Sequence, residues 1–562
     1  MLKHALLITA VLAGTALPTA YSHASTRPPS AAVATAHPLA TEAALRVLAE
    51  GGNAFDAAVA AAAALAVVEP HESGLGGGGF FLIHRAADGA DLVIDARETA
   101  PGAATGDMYL DARGEPVAHF SQQGPLSSAI PGLPAALDHL NRQYGTRTLR
   151  DNLGPAIRLA AQGFPVTAAL SARIREDARR LSPAARKVYL PAGRVPSPGT
   201  PLVQADLART LQAVAARGRD GFYRGPVAQQ LRAGVFRDGG IWTLEDLRNY
   251  RLEQRAAAHI HYQGHRITTA PLPAAGGVTM AQILAMLEAS HWPPSDEVSA
   301  RHLLIEAMRL SYRDLAIHLA DPAFVDVPAA RLTARSYLSE LANSIAPQAR
   351  SSASLDIAAA SQSVERGPNT THFSIMDTAG NRVSATLSLN RAFGSGYMPP
   401  GTGVLLNNQM ADFEDAPLMR TANGVLQTKA NHIQPHKRPL STMSPTFVTG
   451  PHGVFITGTP GGSRAITMNV LAVLLHINGL DVRDVVGAPR FHHQFLPDEV
   501  QFEAGALSSE QLQELRRRGH RTRRIAEGFG DMQAIHWDTR RGVVEAASDP
   551  RGDGVAKVLH AR

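Results

Sequence analysis

The chain of 562 residues contains no cysteine. This absence excludes thiol nucleophiles, disulfide bonds and cysteine metal sites. The sequence also lacks the HExxH pattern of zinc proteases, and no Gly-Lys-Ser/Thr follows the glycine run at 76–79, so this run is not a phosphate-binding loop. We interpret that run as close backbone packing ahead of a strand. No metal or organic cofactor is implied by these patterns.

Long apolar runs are scarce, and the one candidate lies at the N-terminus. Lys3, an apolar run over 5–17 and the triplet Ser22-His23-Ala24 form the pattern of a cleavable signal peptide. The alternative, a short membrane anchor, is weaker because a span needs about 20 apolar residues. We therefore predict a signal peptide over 1–24, a periplasmic or secreted protein, and no membrane span after its removal.

The positive charge is weak and gives no sign of a nucleic-acid partner. The formal net charge is +5, and the densest basic run is Leu515–Arg524. Aromatic residues that could stack on bases are not interleaved with these arginines. We interpret the run as a solvated helix end.

Helical patterns dominate the first part of the chain, and strand patterns dominate after residue 370. A helix over Thr41–Glu50 is expected to stop at Gly51-Gly52. Asp56 is expected to cap the next helix, which is rich in alanine, ends at Val68 and reads as buried on all sides. Paired strands are predicted at 80–84 and 91–95. This order indicates helices packed on sheets.

The most informative feature is the change of pattern at Asn369-Thr370. Residues 341–369 hold few large apolar side chains, so we predict a flexible segment. Two strands are predicted next, at 370–377 and 382–390. Between them, Thr378-Ala379-Gly380 suits a three-residue hairpin loop. In the second strand apolar and polar residues alternate, as in a half-buried strand. This register puts Ser388 opposite Thr370, with Cβ atoms about 5 Å apart, and a bulge could shift it by one residue.

A flexible segment that ends at such a threonine is what a self-cleaving enzyme requires. We predict cleavage between Asn369 and Thr370, giving a large subunit, 25–369, and a small subunit, 370–562. The new α-amine of Thr370, with a pKa near 8, could act as the base for its own hydroxyl. Ser388 could orient that hydroxyl.

A second candidate site is the turn Gly458–Arg464. Its consecutive glycines, Gly461 and Gly462, leave backbone N–H groups able to converge on an oxyanion, although a simple tight turn is the alternative. Ser463 is one residue from a G-x-S-x-G elbow and is kept as a rival nucleophile. His492-His493 has no third metal ligand nearby, so packed or surface histidines are expected.

Several blocks together resemble the γ-glutamyltransferases, which are N-terminal-nucleophile hydrolases that cut themselves into two subunits. The resemblance runs from about residue 30 to the C-terminus, and its blocks occur in the family's order. They are EGGNAFDAAVAAAAALAVVEP (50–70), GLGGGGF (74–80), DARETAP (95–101), NTTHFSIMDTAGNRVSATLSLN (369–390), NNQMADF (407–413), KRPLSTMSP (437–445), GTPGGSR (458–464), APRFHHQ (488–494) and ASDPR (547–551).

The resemblance implies an α/β (α+β) fold, a four-layer αββα sandwich formed jointly by both subunits. It also implies an oxyanion hole at Gly461 and Gly462. The implied substrate-binding residues are Arg97, Ser441 and Thr442 for the α-carboxylate, and Asn390, Gln409 and Asp412 for the α-ammonium.

The sequence departs from the family pattern at three positions. Ser388 and Thr442 stand where the family more often has Thr and Ser, respectively. A lid is implied over 414–436, and Asn423 takes the place of its tyrosine, with no aromatic residue in that range. We expect a lid that admits water.

The resemblance implies action on glutathione and other γ-glutamyl compounds, with transfer to water or to acceptor amino acids and peptides. The nearest alternative is a glutaryl or cephalosporin acylase. An unprocessed, inactive exported binding homologue is the alternative from another class.

Overall fold

The structure is a computed structural model that describes residues 27–114, 117–290, 292, 296–354, 369–413, 418–420, 426–428, 430–526 and 528–560. The predicted signal peptide lies outside these residues. The strands are β1 (Ser30–Thr35), β2 (Gly78–Arg85), β3 (Ala90–Ala96), β4 (Phe164–Pro165), β5 (Pro201–Leu202), β6 (Glu253–Ala256), β7 (Ala258–Tyr262), β8 (His265–Thr269), β9 (Asn369–Met376), β10 (Arg382–Asn390), β11 (Leu418–Arg420), β12 (Leu426–Thr428), β13 (Thr446–Gly450), β14 (Gly453–Thr457), β15 (Phe491–His492), β16 (Val500–Phe502), β17 (Thr522–Arg524), β18 (Gln533–Asp538), β19 (Val543–Ser548) and β20 (Val555–His560).

The α-helices alternate with these strands mainly in the first part of the chain. They are α1 (Pro38–Ala49), α2 (Ala54–Val68), α3 (Ala118–Gln122), α4 (Leu133–Tyr144), α5 (Leu149–Gln162), α6 (Ala168–Asp177), α7 (Pro183–Tyr189), α8 (Ala205–Arg217), α9 (Asp220–Tyr223), α10 (Gly225–Arg237), α11 (Leu244–Asn249), α12 (Gly276–Ala289), α13 (Glu297–His318), α14 (Ala329–Leu332), α15 (Arg335–Asn343), α16 (Ala465–Ile477), α17 (Val482–Gly487) and α18 (Ser509–Arg517).

Two facing sheets form the centre of the molecule. One has the order β20-β1-β9-β10-β2-β3-β6, and the other has the order β19-β18-β14-β13-β8-β7. Alternate side chains of β2 show the layering: Phe81 and Ile83 pack against the helices around α2, whereas Phe80 and Leu82 pack against Phe447 of the second sheet. Helices α12, α13 and α16 cover the outer side of that second sheet. The predicted αββα sandwich is confirmed.

The alanine-rich helix α2 is buried along its whole length, as predicted. Its small side chains allow the neighbouring helices and the sheet to approach closely on every side. The predicted cap is wrong by three residues, because Asn53 is the N-cap and accepts from the amides of Phe55 and Asp56. Asp56 instead closes a capping box by accepting from the Asn53 amide.

The glycine run 76–79, whose last two residues begin β2, permits close contact between backbones. A Cβ on Gly76 would lie 1.9 Å from the Leu405 carbonyl oxygen, and one on Gly79 would lie 2.1 Å from that of Thr386. No side chain fits at such distances. The run brings β2 against β10, the strand that carries Ser388.

The central hairpin β9–β10 has the predicted register. Ser388 pairs with Thr370, and a one-residue shift follows, so that Asn390 pairs with Asn369. Gly380 in the loop has φ +95°, as the left-handed position requires. The prediction of a half-buried strand is wrong, because every residue of β10 is buried. The second sheet covers the polar face: the Ser384 hydroxyl, for example, donates to the Thr457 carbonyl at 2.9 Å.

The predicted flexible segment 341–369 is wrong at its start. Leu341 and Ala342 belong to α15 and are buried. Ser352, also buried, donates through its hydroxyl to the Phe495 carbonyl at 2.8 Å. A composition poor in large apolar residues therefore does not prevent this part from packing, because tertiary hydrogen bonds hold it. Residues 355–368 lie outside the described residues.

Across the part of the chain that the structure describes, none of the helices is both long and apolar enough to span a membrane.

Candidate active site

A cleft opens at the ends of central strands of the two sheets, and most of the predicted site residues line it. The chain positions that meet there come from the ends of β9, β10 and β14 and from two connecting segments. The lining residues are Thr370, Thr386, Ser388, Asn390, Gln409, Asp412, Ser441, Thr442, Met443, Thr459, Pro460, Gly461, Gly462 and Ala465. Residues nearly a hundred positions apart in sequence thus surround one space.

Thr370 and Ser388 are joined directly across the hairpin. The Thr370 hydroxyl donates to the Ser388 Oγ at 3.1 Å. The Ser388 hydroxyl in turn donates to the Asn369 carbonyl oxygen at 2.9 Å and accepts from the Asn390 amide at 2.7 Å. Asn390 has φ +80°, a left-handed conformation that Asn adopts more readily than most residues, and it follows the bulge between Ser388 and Asn390. The bulge turns the Asn390 amide toward Ser388.

The glycine turn after β14 lies on the opposite wall. Gly461 and Gly462 have φ +136° and +56°, conformations that favour glycine. The Thr442 hydroxyl donates to the Gly462 carbonyl at 2.8 Å and so ties the turn to the segment before β13. Ser463, the rival nucleophile, does not line the cleft; its carbonyl accepts from the Tyr312 hydroxyl.

A polar pocket is formed by the short 3₁₀ turn Gln409–Asp412. Both polar side-chain atoms of Gln409, and Oδ1 of Asp412, have no hydrogen-bond partner among the described residues, although both residues are buried. Asn431 holds the turn in place by donating to the Asp412 carbonyl at 2.7 Å, while its Oδ1 accepts from the Leu440 amide at 3.0 Å. Buried polar atoms without partners are costly, so this pocket is suited to a polar ligand.

Arg97 is a predicted substrate-binding residue that the described structure does not bring to the cleft wall. Its guanidinium is fully buried behind Asp412 and pairs with the Oδ2 of that carboxylate. It also donates to the carbonyls of Pro439 and Leu440 at 3.1 and 3.2 Å. Burial raises the pKa of the adjacent Glu98 to about 7, although the charge of Arg97 opposes the shift. Arg97 therefore holds Asp412 in position from outside the cleft wall.

Sequence reasoning missed several residues around the cleft. Thr386, Met443 and Thr459 line it but have no residue type that marks them in the sequence. Glu69 and Glu72 lie beside the start of β9: Glu69 accepts from the Thr371 hydroxyl at 2.7 Å, and Glu72 accepts from the Asn369 side-chain amide at 3.0 Å. Two carboxyl groups directly after the long apolar helix α2 were the available signal.

The histidine pair His492-His493 is packed, as expected. His492 shares hydrogen bonds with the Thr467 hydroxyl and the Gln494 side chain, both at 2.8 Å. His493 lies 3.4 Å from the Asp498 carboxylate. These contacts use the ring nitrogens in structural roles.

The predicted lid is described only in part. Strands β11 and β12 pair within it as an antiparallel ribbon. Asn423 lies outside the described residues, so its predicted role stays a prediction.

Comparison with known proteins agrees with this geometry. A sequence model of the family described as gamma-glutamyltranspeptidase matches residues 40–559. The chain is 40% identical over 526 residues to the glutathione hydrolase proenzyme of Pseudomonas sp. (strain A14), covering 91% of this chain and 88% of that protein. It is 38% identical over 535 residues to the glutathione hydrolase proenzyme of Escherichia coli (strain K12), covering 92% and 90%. The crystal structure of a cephalosporin acylase from Bacillus halodurans matches with a TM-score of 0.82 at 28% identity, covering 98% of this chain and 99% of that one.

Two facing sheets with helices on both outer sides, and a threonine near the start of a central strand, define the class of N-terminal-nucleophile hydrolases. Within that class, this chain belongs to the gamma-glutamyltranspeptidase family. It is an enzyme of that family, as the sequence motifs predicted.

Proposed function

We propose that this protein is an exported γ-glutamyltransferase that cleaves itself between Asn369 and Thr370. In this proposal Thr370 then cleaves the γ-glutamyl bond of glutathione and related amides. The named activity of the two relatives, both called glutathione hydrolase proenzymes, supports the reaction class. The proposal is carried by one observation, the hydrogen-bonded chain from the Thr370 hydroxyl through Ser388 to the Asn369 carbonyl.

This chain of hydrogen bonds suits the first step of self-cleavage. The Thr370 Oγ attacks the Asn369 carbonyl carbon, its proton passes to Ser388, and the Ser388 proton passes to the carbonyl oxygen. No strong base is needed, because each proton moves along a hydrogen bond that already exists. As the carbonyl forms again, the nitrogen gains a proton and the C–N bond breaks, which frees the Thr370 α-amine and leaves an ester between the Thr370 Oγ and Asn369. Water then hydrolyses the ester to the Thr370 hydroxyl and the Asn369 carboxylate.

The fragments have a structural reason to stay together. The seven-stranded sheet contains β1, β2, β3 and β6 from before the cleavage site, and β9, β10 and β20 from after it. Strand β9 pairs with β1 on one side, and β10 pairs with β2 on the other. A heterodimer of large and small subunits is therefore expected to persist after cleavage.

In the proposed turnover the Thr370 α-amine takes the proton from the Thr370 hydroxyl as it attacks the γ-carbonyl of the substrate. The backbone N–H groups of Gly461 and Gly462 stabilise the oxyanion. The resulting γ-glutamyl ester passes to water or to an acceptor amino acid or peptide. Thr370 and both glycines line the same cleft, which supports these roles.

The polar pocket favours a glutamyl group over a glutaryl group. The buried atoms without partners on Gln409 and Asp412 include a carboxylate oxygen, which suits an α-ammonium. Glutaryl side chains have no ammonium and would leave that oxygen unpaired. Asn390 and Ser441 are proposed to complete the contacts to the amino-acid end.

Three measurements test the proposal. The mature protein should show two bands on a denaturing gel, the smaller one beginning Thr-Thr-His-Phe, whereas Thr370→Ala should remain a single inactive chain. The larger fragment should begin near Ser25 and be found outside the cytoplasm. Purified enzyme should turn over glutathione faster than glutaryl amides. A single band from wild-type protein would instead support a binding homologue, and faster turnover of glutaryl amides would support an acylase.

A further inference from the structure

The turn Glu69–Ser73, which follows α2, occupies the edge of β9 that β1 leaves uncovered. Pairing between β1 and β9 extends only from Phe373 to Met376. Before Phe373, side chains of the turn contact the strand instead, and the Glu72 carbonyl accepts from the Leu389 amide of β10 at 3.1 Å. The turn is therefore fixed against the residues around the cleavage site.

The side chain of Glu72 lies beside the bond that is proposed to break. Its Oε1 accepts from the Asn369 side-chain amide at 3.0 Å. The backbone amide of Thr370 lies close enough to the Glu72 carboxyl to lower its pKa. Ser388 approaches the same peptide group at its carbonyl oxygen. Ser388 thus contacts the oxygen of this peptide bond, and the Glu72 carboxyl lies near its nitrogen.

The surroundings of Glu72 favour its protonated form. Burial first, and the neighbouring charge of Glu69 second, raise the pKa of Glu72 to about 8. The hydrogen bond from Asn369, the charge of Arg173 on α6 and the nearby amide of Thr370 oppose the shift. The other titratable groups that face it are His71, at 3.5 Å, and Asp531, in the loop before β18. The side chain is still 17% exposed, so solvent can return a proton to it.

We propose that Glu72 is the general acid of self-cleavage and protonates the Thr370 nitrogen as the peptide bond breaks. This inference rests on the proposed self-cleavage. After Thr370 Oγ has bonded to the Asn369 carbon, the Glu72 proton moves to the nitrogen and the C–N bond breaks. The proton on the former carbonyl oxygen passes to solvent as the ester carbonyl forms. Glu72, now a carboxylate, regains a proton from solvent, so the step balances.

The alternative is that Glu72 only holds Asn369 in place. Glu72→Gln distinguishes the two roles, because glutamine keeps the side-chain carbonyl that accepts from Asn369 but cannot transfer a proton. Glu69→Gln is the matched control, since Glu69 is a buried carboxyl in the same turn that bonds Thr371 and neither residue of the scissile bond.

The experiment follows conversion of the full-length precursor to its two fragments on denaturing gels after pulse-labelled cell-free synthesis. At about pH 6, Glu72→Gln is expected to cleave about 100-fold more slowly than wild type, and Glu69→Gln within about threefold of it. The wild-type rate should fall as the pH rises through about 8, and Glu72→Gln should lose that fall. A Glu72→Gln rate equal to wild type, or a slow rate with an unchanged pH profile, would overturn the proposal.

Two further measurements separate loss of the acid from misfolding. Thr370→Ala and Thr370→Ala/Glu72→Gln cannot cleave, and equal melting temperatures for them would show that the glutamine is accommodated. If Glu72→Gln does not fold, Glu69→Gln still tests the proposal. Removing the Glu69 charge should lower the pKa of Glu72, and so shift the fall in cleavage rate to lower pH. An unshifted profile overturns the proposal. Failure of the wild type to yield a fragment starting at Thr370 would instead refute the proposed function itself.

Discussion

The hydroxyl of Thr442 offers a sharp test of how the glycine turn is held. The family resemblance assigns Thr442 to the substrate carboxylate, but in the structure its hydroxyl donates to the Gly462 carbonyl at 2.8 Å. We predict that Thr442→Val, which keeps the shape and removes the hydroxyl, lowers kcat and leaves KM within about twofold. Thr442→Ser keeps the donor and should behave like wild type.

The size of the effect follows from the contact. Loss of the donor leaves the buried Gly462 carbonyl without its partner, which costs about 1–3 kcal/mol. If about 1.4 kcal/mol of this cost is felt in the transition state, kcat falls about tenfold. That loss is smaller than the roughly 100- to 1,000-fold expected when a whole oxyanion donor is removed, because both glycine amides remain and only their support is weakened.

The assay is the release of p-nitroaniline from a γ-glutamyl anilide by purified, fully cleaved enzyme. Gels confirm that each variant has matured, so that a defect in self-cleavage is not mistaken for a defect in turnover. A large rise in KM at constant kcat for Thr442→Val would refute the reasoning, since it would mean that the hydroxyl binds substrate directly.

Three further predictions concern other parts of the molecule. Gly79→Ala should abolish soluble protein, because its Cβ would lie 2.1 Å from the Thr386 carbonyl oxygen. Gly106→Ala, whose Cβ would meet only the Ile433 carbonyl oxygen at 3.8 Å, should be recovered in good yield. Burial raises the pKa of Glu98 to about 7, so the folded state loses stability as the pH rises through that value. The melting temperature of Glu98→Gln should therefore fall less than that of the wild type between about pH 5 and 8. Asn423→Tyr should raise the ratio of transfer to hydrolysis with glycylglycine as acceptor. An unchanged ratio in a folded, cleaved variant would contradict the prediction that the lid admits water.

The central hairpin could be predicted from sequence because its determinants are local. Three loop residues with Gly380 at the end fix the register, and the register alone places Ser388 opposite Thr370. The burial of both faces of β10 could not be predicted in the same way. Its polar face meets Thr446 and Thr457 of another sheet, more than sixty positions away, and their backbone groups satisfy Ser384.

The position of Arg97 shows where motif matching stops. A guanidinium in a matched block indicates that a carboxylate will be bound, but does not say whose. Here the partner is Asp412, which lies 315 positions away in sequence. Because one oxygen of that carboxylate is held by Arg97, the other stays buried without a partner beside the cleft. A substrate ammonium would therefore meet an acceptor that is already oriented, and its charge would be balanced by a carboxylate shared with Arg97. Arg97→Lys would keep the charge but lose the fork of donors to the carbonyls of Pro439 and Leu440. It should weaken glutamyl binding through Asp412, which a rise in KM without loss of self-cleavage would reveal.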